Sequence, residues 1–217
     1  MENKIIGFIG IDAYDILLYL ARICSNHNEK VLLVDNSLSK SLLLCIPNLE
    51  EIEPSIDYID YVGIDFTTIK AESINNCEYD KVFIFYGLYN TNIDYSICNH
   101  FILVSDTQLH TLLAIKELDL DSNKVMHIII KDIYEVLIPD FKVLKILNLT
   151  GEIKIYTHYI DGWDMKYRGV CQDQNLKSFQ KISRYLKEYL YELSKILYPE
   201  QSVKELNNVM KKALKGN

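Results

Sequence analysis

The sequence predicts an α/β fold of three layers, a mostly parallel sheet with helices on both faces. Short, continuously apolar runs rich in β-branched residues recur along the chain: KIIGFIG at Lys4–Gly10, KVLLVD at Lys30–Asp35, KVFIFY at Lys81–Tyr86, FILVS at Phe101–Ser105 and KVMHIII at Lys124–Ile130. Strands buried on both faces read this way. Segments of helical period separate several of these runs, as parallel strands require. With only 8 glycines and 4 prolines in 217 residues, little of the chain suits linkers or disorder.

The first strand ends at Gly10 and a helix is expected over Ala13–Asn26, where Ile16, Leu17, Leu20 and Ile23 share one face. Asp12 is the expected N-cap, with Asp15 in the first turn at the favourable end of the helix dipole. The second strand ends in Asp35. Asn36–Pro54 is expected to hold a short helix, Ser55–Thr68 an edge strand or hairpin, and Ile69–Cys77 another short helix. Helices are expected over Thr107–Leu118 and Leu176–Tyr198, a sixth strand over Ile153–Tyr159, and a final amphipathic helix over 202–215. The chain reads as one domain over 1–217, with no internal repeat.

Composition narrows function. A net charge of −7 argues against a general nucleic-acid binder. Five cysteines without a CxxC pair suit reduced, buried thiols in the cytoplasm. No apolar run reaches the roughly 20 residues that span a bilayer. The histidines show no HxxxH or HxH spacing, and His127, inside an apolar strand, is expected as a satisfied core histidine. GxSxG and GxGxxG are absent.

In open α/β sheets ligands bind beyond the carboxyl ends of the strands. A phosphate loop there uses backbone N–H groups, a helix N-terminus and a lysine, with glycines giving room. The GIDAYD turn after the first strand has no glycine beyond Gly10, no lysine, and no serine or threonine for magnesium. Asp12 and Asp15 put carboxylates where an anion would sit, a kcal/mol-scale repulsion. The two can satisfy the helix N-terminus themselves, or contribute with Asp35 to a metal site whose geometry the sequence does not define.

The order of segments resembles the ParA/MinD family of deviant-Walker P-loop ATPases, including its TadZ-like branch. IIGFIG followed by LLYLARIC is similar to that family's first strand and helix. KVLLVD resembles its second strand, and EYDKVFIFYGL (Glu78–Leu88) its Walker B segment. HFILVSDTQLHTLLAIKEL (His100–Leu118) and KVMHIIIKD (Lys124–Asp132) resemble the strands and helix that follow. IYTHYIDGWDMKYRGV (Ile155–Val170) is similar to its proline- and aspartate-containing loop. The likeness runs from Lys4 to Tyr198 and implies a P-loop NTPase-like fold.

The departures fall on the chemistry. The family's glycine- and lysine-rich loop is shortened to the acidic turn, and Phe85 stands where a metal-linked aspartate is expected. Lys131 and Asp132 stand where an asparagine reads adenine. Gly10, Asp12, Asp15, Asp35 and Phe85 are thus the positions of a degenerate nucleotide site. Phosphoryl transfer depends on lysine and magnesium, so the resemblance implies a pseudo-ATPase with no cofactor, no metal and no catalytic residue. It would be a scaffold or localisation factor for a pilus, secretion or partition assembly, working through a protein partner or a dimer. Trp163, Tyr167 and Arg168, in a segment read as a loop beyond the sixth strand, are the candidate partner contacts. One alternative is an atypical ATPase using ATP and magnesium, with Lys131 or Arg168 supplying the missing cation. A receiver-like or flavodoxin-like module with an acidic metal cluster is the other. The expected location is the cytoplasm. The basic helix 202–215 is able to lie on the inner face of a membrane, but such helices more often pack on their own domain or a partner.

Overall fold

The structure is a computed structural model, and it describes residues 4–47, 57–69, 73, 78–88, 94–134, 139–150, 153–172 and 182–215. The elements run β1 (Lys4–Gly10), α1 (Tyr14–Ser25), β2 (Val31–Asp35), β3 (Ile59–Tyr61), β4 (Ile64–Thr67), β5 (Lys81–Gly87) and β6 (His100–Ser105). They continue with α2 (Leu109–Lys116), β7 (Val125–Ile133), α3 (Asp140–Leu147), β8 (Lys154–Tyr159), α4 (Gly162–Gln172), α5 (Arg184–Leu197) and α6 (Val203–Lys215). The eight strands form one sheet in the order β3-β4-β2-β5-β1-β6-β7-β8. Every pairing is parallel except the β3–β4 hairpin at one edge.

Side chains of a strand alternate between faces, so each apolar run feeds two cores. Ile6, Phe8, Leu33, Phe83, Phe85, Ile102 and Val104 pack under α1, α4, α5 and α6. Ile9, Leu32, Val34, Ile84, Tyr86, Leu103 and Ile130 pack against α2 and α3. These are the three layers expected from sequence.

The strand order separates two readings. In a flavodoxin-like or receiver-like sheet the first strand lies beside the second. Here β5 is inserted between β1 and β2, which overturns the receiver-like alternative. The chain builds outward from β1 on one side, then crosses to β6 on the other. The order therefore reverses at β1, and the crevice beyond the ends of β1, β5 and β6 is where ligands gather in such sheets.

Several expectations change. Ala13, not Asp12, is the N-cap of α1, and it makes no side-chain cap bond. The short helix in 36–54 is a single 3₁₀ turn at Leu43–Cys45. The hairpin lies at the sheet edge as expected. The helix expected at Ile69–Cys77 falls almost wholly outside the described residues. Helix α3 has no counterpart in the sequence reading, though Pro139 precedes it, Asp140 opens it, and Val143 and Leu147 make its buried stripe. The segment read as a loop carrying Trp163 is helix α4. Helix α5 starts only at Arg184, because the Ser183 hydroxyl accepts from the Leu186 amide at 3.0 Å and caps it; the earlier part of its expected range, 176–181, is outside the described residues.

Helix α6 turns Leu206, Met210 and Ala213 onto α1 and α5, so its apolar face is spent on its own chain. Nearby, Lys81 (2.8 Å) and the Tyr198 hydroxyl both donate to Glu29, and His27 stacks on Tyr198. No helix among the described residues is long and apolar enough to cross a membrane.

Gly10 ends β1 with φ +130°, and a Cβ there would lie 1.7 Å from the Val104 carbonyl oxygen. Backbone, not a flexible side chain, blocks the space. Gly10→Ala should therefore cost more than about 3 kcal/mol in urea unfolding; a loss below about 1 kcal/mol would contradict this packing of β1 on β6.

Candidate functional site

The chain from β1 to α1 passes through Ile11, Asp12 and Ala13 alone, too short to wrap a ligand. The first turn of α1 instead holds the carboxylate of Asp15, which is fully buried. Its Oδ1 accepts from its neighbour's amide (Ile16 N, 3.0 Å) and from Lys131 Nζ at 2.7 Å, and its Oδ2 from Arg168 Nε at 2.8 Å. Lys131 Nζ also donates to the Asp12 carbonyl at 2.8 Å. Arg168 then makes a bidentate pair with Asp132, at 2.7 and 2.6 Å.

The end of β7 explains how neighbours in sequence reach one site. Consecutive strand residues point to opposite faces. The β7–β8 register shifts between Ile130 and Ile133, and Asp132 has φ +60°. This bulge re-aims the chain, so that Lys131 turns in to Asp15 while Asp132 meets Arg168. Aspartate tolerates the left-handed conformation better than most residues.

The network continues through β8 and α4. His158 Nε2 lies 2.8 Å from Asp164 Oδ2, and its Nδ1 faces Asp132 at 3.8 Å, an ion-pair distance beyond hydrogen-bond range. Asp164 Oδ1 accepts from the Ser183 amide at 2.7 Å, just ahead of α5. One chain of charged groups thus links α1, β7, β8, α4 and the start of α5.

The charges hold one another ionised. Burial alone would raise the Asp15 carboxyl, but Lys131 and Arg168 overcome it and keep it below the usual carboxylate range. Burial also opposes ionisation of Asp132 and Asp164. The nearby His158 ring and the hydrogen-bonded Arg168 guanidinium lower the first, and hydrogen bonding from His158 and Ser183 lowers the second. Burial would make His158 less basic, yet Asp132 and Asp164 leave it more basic than an ordinary histidine. The cations Lys131 and Arg168 are balanced by Asp15 and Asp132, so the pair of cations has no charge left for an outside anion.

The other sequence candidates have separate partners. Asp35 is buried and accepts from the Ser37 amide and hydroxyl and from the Leu42 and Leu43 amides, which folds the 3₁₀ turn around it. Asp12 Oδ1 accepts from the Ser41 hydroxyl at 3.0 Å. The three carboxylates are therefore engaged individually, and among the described residues no group of three or more metal-ligating side chains could hold a metal ion. Phe85 lies buried opposite Asp35 in the β2–β5 pairing. Tyr167 and Arg168 have inward roles in place of the outward ones expected. Tyr167 packs on Tyr19 in the core, and Arg168 belongs to the ion network. Trp163 is 46% exposed and stays at the surface. His127 is buried as expected, but its Nδ1 has no hydrogen-bond partner among the described residues, and burial pushes it down to about 4.

Beyond the ends of β1, β5 and β6 lies a cleft of about 370 Å³, lined by Gly10, Asp12, Leu38, Phe85, Asp106 and His110 among others. Sequence reasoning did not single out Asp106 or the Ser37–Ser41 loop. The signal was position, since both directly follow strand ends. Exposed apolar side chains follow several strand ends: Leu38, Leu109, Tyr134, Ile160 and Trp163.

This geometry, with β5 between β1 and β2, is the ParA/MinD-like, P-loop NTPase-like fold. Solved structures agree. The chain superposes on the MinC:MinD cell division protein complex of Aquifex aeolicus with a TM-score of 0.63 at 12% identity, covering 92% of this chain and 97% of that one. It superposes on a putative plasmid partition protein of Borrelia burgdorferi B31 bound to AMPPNP with a TM-score of 0.57 at 15% identity, covering 91% and 100%. For the ParA family ATPase of Chlorobium tepidum the TM-score is 0.52 at 15% identity, covering 99% of each chain. No family model and no curated protein sequence matches the chain.

Removing the Asp15 carboxylate strands the buried Lys131 and takes away one of the two carboxylates that Arg168 serves. Asp15→Ala should cost about 3–5 kcal/mol by urea unfolding, and Asp15→Ala/Lys131→Met less than the sum of its parts; additive losses would show that the two do not interact. The raised His158 adds stability that is complete below its ordinary value of 6.5 and is lost as pH climbs through the higher folded value. Wild type should therefore lose more stability than His158→Gln between pH 6.5 and a point above the folded value. Parallel curves over that window would remove His158 from the network.

Proposed function

We propose that the chain is a non-catalytic scaffold or localisation factor, which works by protein contacts on the face formed by the strand ends. The observation that carries this reading is the Asp15–Lys131–Arg168 cluster. A phosphate site needs uncommitted positive charge at the start of α1. The cations nearest that position are instead neutralised by the chain's own carboxylates. Asp15 takes the place of an anionic ligand and cannot leave. Phe85, an apolar side chain at the end of β5, supplies nothing to a magnesium ion. The atypical-ATPase reading required Lys131 or Arg168 to serve nucleotide, and both are consumed within the fold.

The face itself suits contact. It combines a cleft with exposed Leu38, Leu109 and Trp163, and aromatic and apolar anchors of this kind carry much of the energy of protein interfaces. One of the structurally similar proteins, MinD, is seen in complex with MinC, which supports a protein partner or self-association here. Packing of the apolar face of α6 on α1 and α5 argues against membrane contact through 202–215.

The test is thermal unfolding with ATP, ADP and magnesium, alone and combined. A nucleotide of micromolar Kd present at a hundredfold excess stabilises by about 2.7 kcal/mol, which is roughly 5–10 °C for a chain of this size. The expected result is no shift. A shift of that size with ATP and magnesium would overturn the scaffold reading. Sedimentation equilibrium on the same sample would separate self-association from dependence on another protein.

A further inference from the structure

The strand-end cleft is acidic. Asp12 and Asp106 line it, and no lysine or arginine does so among the described residues. Each carboxylate commits one oxygen. Asp12 Oδ1 takes the Ser39 and Ser41 hydroxyls, and Asp106 Oδ1 takes the Gln108 amide. Oδ2 of each has no hydrogen bond among the described residues. Two carboxylates facing one crevice repel phosphate and any other anion.

We propose that this cleft receives a lysine or arginine side chain of a partner protein, held between Asp12 and Asp106, with an apolar neighbour of that side chain resting on Leu38. This rests on the scaffold reading and names the chemistry of its partner. Three observations select the occupant. No metal-holding group exists among the described residues, so a bare divalent ion is not favoured. Leu38 lines the cleft and is 71% exposed, so the cation is one carried by a segment with apolar residues, since a free amine would leave that leucine in water. The chain's net charge of −7 draws basic partners and speeds their encounter.

A second copy fits less well. An isologous dimer whose axis passed through the cleft would bring the same carboxylates of both copies together, and like charges across an interface oppose association. The occupant is therefore a different, locally basic protein.

The test uses the 217-residue chain as bait for a phage library of randomised dodecapeptides, with Asp12→Asn/Asp106→Asn as the comparison bait. Asparagine keeps an acceptor oxygen at each position, and circular dichroism melts show whether the double variant is folded. The expected result is enrichment of peptides with arginine or lysine flanked by apolar residues. Resynthesised, these should bind the double variant at least about tenfold more weakly and lose affinity with salt. Enriched peptides without a cation, equal binding to the double variant, or no enrichment would each overturn the inference. Nucleotide titration of the same preparation keeps the two claims apart. ATP binding sinks the scaffold reading, whereas failed selection without ATP binding sinks only the cationic partner.

Discussion

The carboxylate of Asp15 is a full negative charge inside the protein, and burying it is tolerable only with paired, hydrogen-bonded cations beside it. Much of the architecture around the strand ends follows from that need. Lys131 reaches Asp15 only because β7 bulges, and the bulge sets Asp132 in a left-handed conformation. Asp132 then requires a partner of its own and finds it in Arg168, whose guanidinium serves both carboxylates. Arg168 holds α4 against the sheet. The same helix presents Asp164, which binds His158 and the backbone ahead of α5. Each member is satisfied by the next, and so a costly group becomes a point where five elements are specified relative to one another.

The same network bears on function. In a sheet of this order the crevice at the reversal of strand order is the natural ligand site, and anion binding there draws on a helix N-terminus and nearby cations. This chain keeps the crevice and the helix while its lysine and arginine face inward. What remains open to solvent is an acidic cleft rimmed by leucines. The same fold in one structural neighbour is seen with AMPPNP bound, whereas here two carboxylates line the crevice.

The strands were legible because burial on both faces leaves an unbroken apolar run, a signal that survives without knowledge of neighbours. Helices α3 and α4 were harder. Helix α3 has a single buried stripe of Val143 and Leu147 between exposed residues. In α4 most of the residues that pack inward, Asp164, Tyr167 and Arg168, are polar or amphipathic and only Cys171 joins them near the end, so the stretch reads as a loop. Lys131 and Arg168 did stand out as cations near strand ends. Their partners did not, because Asp15 is 116 residues from one and 153 from the other in sequence. Tyr167 and Arg168 resembled interface anchors for the reason that makes them good core residues, a large contact area combined with a polar tip.

The sequence by itself determined the layers, the parallel strands and the absence of a glycine- and lysine-rich turn after β1, since these depend on local pattern and on which residues are present. Only the tertiary structure decided which charges meet. A carboxylate in the first turn of a helix reads alike whether it caps the backbone, binds metal or pairs with distant cations. Distance and burial choose among these, through the cost of an unpaired charge in a low-dielectric interior, and they are set by the packing of β7 and α4 onto α1.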